Sequence, residues 1–100
     1  MGLFNLLNLR SEAKEIINEI ERNAIWMERK IDIASFNQAR IHWHQCRENF
    51  IKLCKLLEKS NGAAIGPYSY RGETMLGPKL ANKLTDYLED TNRIISRFGQ

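Results

Sequence analysis

Apolar residues recur at a four-three-four-three-four spacing in three separate stretches of the chain. The first stretch is Ala13, Ile17, Ile20, Ala24, Met27 and Ile31. The second is Ala39, Trp43, Cys46, Phe50, Leu53 and Leu57, and the third is Leu80, Leu84, Tyr87, Thr91, Ile94 and Phe98. Seventeen of these eighteen positions are hydrophobic, where a 43% composition supplies about eight. A repeat close to seven residues puts each set on one stripe of a helix. It predicts helices packed lengthwise at shallow, left-handed angles. The fold class is therefore all-α: a small antiparallel three-helix bundle with coiled-coil-like packing.

Helix boundaries follow from the residues between the stripes. The first helix is predicted over about residues 4–32, bent near Ser11 or preceded by a short separate segment. Ser35-Phe36-Asn37-Gln38 fits a capping box opening a second helix over about 35–59. So short a connection forces the second helix antiparallel to the first. Ser60-Asn61-Gly62 ends it, with Asn61 or Gly62 suited to the left-handed position past a helix C-terminus. Residues 60–77 hold Gly62, Gly66, Gly72 and Gly77, together with Pro67, and read as a long glycine-rich loop. Pro78 is preorganised for the first turn of a third helix over about 78–98. One hundred residues in this arrangement make one domain with a modest core.

Charge changes the picture only locally. The net charge is +3, and the excess lies in the middle of the chain. Residues 1–34 sum to −1, residues 35–59 to +3 and residues 60–100 to +1. On the second helix Arg40, His44, Arg47 and Lys55 fall near one face, with Lys52 and Lys59 beside them. Such a face can track phosphates. The alternative is that these cations flank the apolar stripe opposite Glu12, Glu15, Glu19, Glu21 and Glu28 of the first helix.

No residue set assembles recognisable chemistry. His42 and Cys46 share a helix face, but a structural zinc site needs two further ligands and no second Cys/His pair exists. A thiol in a Trp- and Phe-lined stripe is expected to be inert rather than ionised. Cys46 and Cys54 lie about 12 Å apart along one helix, too far to bridge. The glycine-rich loop lacks the Gly-Lys-Ser/Thr of a phosphate-binding loop. No catalytic residue, cofactor or metal is expected.

Interaction surfaces are better represented. Tyr68, Tyr70 and Arg71 in the 60–77 loop are residue types favoured as interface anchors. In the contrary reading, Tyr68, Tyr70 and Met75 fold back over the end of the bundle. Trp26 stands off the first stripe, so it either widens the core against the third helix or anchors a partner. Leu3, Phe4, Leu6, Leu7 and Leu9 add apolar surface that fits packing in the bundle or across a dimer. No apolar run approaches the ~18–20 residues that span a bilayer, so no integral membrane association is expected. The first residues lack the basic segment and small-residue site of a signal peptide, and two unpaired thiols suit a reducing compartment, so a cytosolic location is expected.

The resemblance to two families of small helical proteins lapses at their motifs. The secreted hairpins with a Trp-x-Gly turn would need that tripeptide at Asp32–Ser35, and histidine phosphotransfer domains would need His-x-x-Lys-Gly after His42 or His44. The function expected is a non-catalytic protein-interaction module of the adaptor, small-inhibitor or assembly-factor kind. It would bind through Tyr68, Tyr70, Arg71, Trp26, Phe4 and Leu7, and its partner would be another protein or a second copy. The alternative is nucleic-acid binding through Arg40, His44, Arg47, Lys52, Lys55 and Lys59.

Overall fold

A computed structural model describes residues 3–60, 62 and 64–99, with side chains from residue 8 onward. Helix α1 spans Leu3–Asp32 and α2 spans Phe36–Lys59. Strands β1 (Tyr68–Tyr70) and β2 (Glu73–Met75) follow, and α3 covers Gly77–Phe98. The fold is all-α apart from this small hairpin, and the molecule is a rod of 49 × 19 × 19 Å. No described helix is long and apolar enough to cross a membrane.

The two long helices lie side by side along the predicted stripes. Asn23 bonds His42 and Cys46 bonds the Ile20 carbonyl, so contacts descend α1 as they ascend α2. Ala13, Ile17, Ile20, Ala24 and Met27 are fully buried, facing Ala39, Cys46 and Leu53. Each large aliphatic side chain so enclosed contributes roughly 1.5–3 kcal/mol. Helix α3 runs back along α2: Leu84 shares a buried cluster with Ile17 and Ile20, Leu88 one with Ala24 and Cys46, and Ile95 one with Met27 and Ala39. Trp43 ties α2 to α3 by donating from Nε1 to the Leu88 carbonyl at 3.0 Å.

The third stripe departs from its prediction. Beyond Leu84 the buried positions are Leu88, Thr91 and Ile95, while Ile94 and Phe98 are exposed and Tyr87 is half-buried. An unsupercoiled α-helix drifts about 20° per heptad against a seven-residue repeat, which moves burial one residue later, from Tyr87 to Leu88 and from Ile94 to Ile95. On α2 the departure has the opposite sense, with Leu56 buried more deeply than Leu57. Phe98 is left to stack on Phe36, with ring centres 6.1 Å apart.

The predicted capping box does not form, since the Ser35 side chain caps nothing. The turn is a Schellman motif instead. Ser35 N–H donates to Lys30 O at 2.8 Å, Ala34 N–H to Ile31 O at 2.9 Å, and Ala34 takes the left-handed conformation (φ 58°). The expected end of α2 agrees better, because Gly62 has φ 89°. There Ser60, buried, donates from Oγ to Leu57 O and accepts from the Ala64 amide.

Residues 60–77 are not the open loop their glycines suggested. Tyr68 pairs with Met75, Ser69 with Thr74 and Tyr70 with Glu73 in an antiparallel hairpin. Its two-residue turn, Arg71-Gly72, has φ of 50° and 85°, which is the sign pattern of a type I′ turn. The hairpin bridges α1 and α3, with one side against Lys14, Ile17 and Asn18 and the other against Lys83, Leu84 and Tyr87. Gly77 admits the close crossing that follows. Its amide donates to Ile65 O at 2.6 Å, and a Cβ there would meet Leu57 Cδ2 at 2.7 Å.

Candidate functional site

Of the three residues singled out in the hairpin, the two tyrosines are buried. Tyr68 and Tyr70 are 2% and 6% exposed and belong to the main core cluster. This corrects the reading of them as exposed anchors: strand alternation turns both inward while Ser69 between them faces out. Tyr68 donates its hydroxyl proton to Ala64 O at 2.6 Å, whereas the Tyr70 hydroxyl is buried without a hydrogen-bond partner. Burial pushes the Tyr70 phenol up to about 12, with Arg71 pulling the other way.

Arg71 is exposed at the hairpin turn but already engaged. Its guanidinium grips the Glu28 carboxylate bidentately, and its backbone amide approaches Glu21 at 3.4 Å. Glu28 also accepts from the Tyr87 hydroxyl, so one α1 carboxylate holds both hairpin and α3. The Arg71 hydrogen bond holds the Glu28 carboxyl below its ordinary range, against the contrary pull of burial. Charge-assisted bonds of this kind are about twice as strong as neutral ones. Glu28 entered the sequence analysis only as one of five flanking carboxylates, and nothing in its spacing marked it as a hub.

Trp26 lies on the opposite edge of α1, 44% exposed. The expectation that it widens the core against α3 is overturned, because the hairpin and α3 occupy the other flank of the α1 stripe. The indole stacks on His42 at 6.4 Å, and Arg29 and Lys30 sit over the ring at 5.0 and 5.8 Å. His42 is itself fixed by a 3.1 Å hydrogen bond to Asn23 Oδ1. Beside them Ile41 is 58% exposed. Sequence reasoning missed Ile41, although an isoleucine off the stripe and facing outward on α2 was a visible signal. The side chains of Phe4 and Leu7 lie outside the described residues.

Trp26 and Ile41 line a shallow groove between α1 and α2 with no residue of α3 or the hairpin in its walls. A second groove between the same two helices, about 560 Å³ and nearer the start of α1, has an acidic wall of Glu12, Glu15 and Glu19 and a basic wall of Lys52, Lys55 and Lys59. Among the described residues no ion pair closes across it; Glu19 pairs with Arg22 on its own helix. The basic residues of α2 are thus divided. Arg40 is half-buried, His44 is exposed with its ring edge-on to Trp43, and Arg47 lines a separate α2–α3 groove with Glu89.

The residues with catalytic or metal-binding character are not brought together. His42 faces an amide, and Cys46 donates weakly to Ile20 O at 3.7 Å. Burial pushes the Cys46 thiol up to about 12, so it stays protonated at neutral pH. Both cysteines are free. Among the described residues no three His, Cys, Asp or Glu side chains gather as metal ligands would. The chain matches no family model, no curated protein and no solved structure.

Proposed function

We propose that this chain is a non-catalytic protein-interaction module that binds through the uncovered face of the α1–α2 pair, with Trp26 and Ile41 as the apolar anchors at one end of it. The observation that carries the reading is the setting of Trp26. A large apolar ring stands 44% exposed, yet it is held by the stacked His42 ring and by the Arg29 and Lys30 cations against it. Tryptophan is the residue type most enriched among binding hot spots. A ring held in one orientation loses little further freedom on binding. The module would act by occlusion or scaffolding, as an adaptor, small inhibitor or assembly factor does.

Photo-cross-linking tests this in the source cell. A photoreactive residue replacing Gln38, which lines the groove beside Trp26, is expected to give discrete protein adducts. The same residue replacing the exposed Asn82 on α3 is expected to give none. Equal adduct patterns at the two positions, or none at either, would remove the reading.

A further inference from the structure

We propose that the occupant of the uncovered α1–α2 face is a second copy of this chain, related by a twofold axis running along the helices; this rests on reading that face as a protein-binding surface. The argument is complementarity level by level. Glu12, Glu15 and Glu19 on α1 stand level with Lys52, Lys55 and Lys59 on α2. Trp26 stands level with Ile41 and His42. A twofold axis parallel to the helices lays α1 of one copy on α2 of the other without changing level. Each acidic wall then meets the other copy's basic wall, and each Trp26 meets the other copy's Ile41. A twofold axis across the helices would set the charged end of one copy on the apolar end of the other. Only the lengthwise axis matches both ends at once.

Self-complementarity of this kind is what an isologous interface requires. Charges flanking an apolar contact select orientation between packed helices. Within one chain the two walls have not consumed each other, since no described ion pair joins them. From Glu12 to Lys30 the face runs about 27 Å, and two helices make it roughly 20 Å wide. The footprint of about 500 Å² per copy falls below the ~800 Å² per partner of a standard interface. The dimer is therefore weak and concentration-dependent.

Sedimentation equilibrium on the full chain tests the proposal. The mass is expected to rise from 11.7 kDa toward twice that value between low and high micromolar concentration. Raising salt from about 0.05 to about 1 M should weaken association roughly tenfold, because the wall-to-wall pairs are screened. Ile41→Asp puts a carboxylate on an exposed position without touching the core and is expected to abolish the dimer. A triple Glu12→Lys, Glu15→Lys, Glu19→Lys variant and a triple Lys52→Glu, Lys55→Glu, Lys59→Glu variant should each be monomeric alone and form a mixed dimer together. Circular dichroism checks that each is helical, and if a triple variant does not fold, Ile41→Asp decides by itself. A wild-type chain that stays monomeric throughout overturns the proposal. The binding reading then survives only if the adducts at position 38 contain a different protein. A dimer that Ile41→Asp leaves intact also overturns it, since its interface lies elsewhere.

Discussion

Tyr68 and Tyr70 share one face of one strand and differ only in what their hydroxyls meet. Tyr68 has the Ala64 carbonyl; Tyr70 has nothing. Leaving a buried polar group unpaired costs about 1–3 kcal/mol, while a satisfied hydrogen bond contributes roughly 1 kcal/mol. Tyr70→Phe is therefore expected to leave stability unchanged or raise it. Tyr68→Phe is expected to lower it by about 1 kcal/mol. Urea denaturation of the two variants compares them directly, and equal losses would show that the Tyr70 hydroxyl has a role the fold does not explain. At this scale the sequence was ambiguous, because tyrosines among glycines serve an exposed loop and a packed one equally well. What decided it was strand alternation across Tyr68-Ser69-Tyr70, a signal only three residues long. Trp26 went the other way: its place beside the stripe was legible, but which neighbour occupied that flank was not.

Among the elements, α1 and α2 were readable because their apolar repeat continues for six positions and survives a change of one or two. The hairpin was not. Two three-residue strands offer no periodicity, and Arg71-Gly72 is a weaker turn signal than Asn-Gly. The link that holds the hairpin down, Arg71 to Glu28, spans 43 residues and has no local trace. It does have a pH signature. Glu28 titrates below its ordinary value of 4.5 in the folded chain, mainly through the Arg71 bond. A depressed carboxylate contributes stability that is present above the unfolded value and is lost as pH falls through the folded one. Both side chains are more than a third exposed, so solvent screening limits the contribution to about 1 kcal/mol or less. Glu28→Gln is expected to be less stable than wild type at neutral pH and to converge with it as pH drops below the ordinary carboxylate range. Denaturant melts across that range measure the gap, with hydrogen exchange of residues 68–75 as a local readout. Curves that stay parallel into acid would mean the carboxylate's charge does not hold the hairpin.

For the whole molecule, the question is whether a net charge of +3 concentrated on one helix makes a phosphate-binding surface. The arrangement argues against it. Lys52, Lys55 and Lys59 look across a groove at Glu12, Glu15 and Glu19, and Arg47 shares its groove with Glu89. A nucleic-acid backbone laid against either set would bring phosphates onto carboxylates. Beyond a Debye length of about 10 Å at ordinary salt the two walls cancel. The intact chain is therefore expected to give no retardation of mixed DNA and RNA in a gel shift, even at low salt. Removing the acidic wall should reverse this. Glu12→Gln with Glu15→Gln and Glu19→Gln adds three units of positive charge and leaves the lysines unopposed. That variant is expected to retard nucleic acid without sequence preference, and its affinity should fall steeply with added salt as counterions are released. Retardation by the wild-type chain with the same steep salt slope would shift the function to the basic side of α2. Failure of the neutralised variant to bind would show that the lysines do not form a continuous phosphate track whatever faces them.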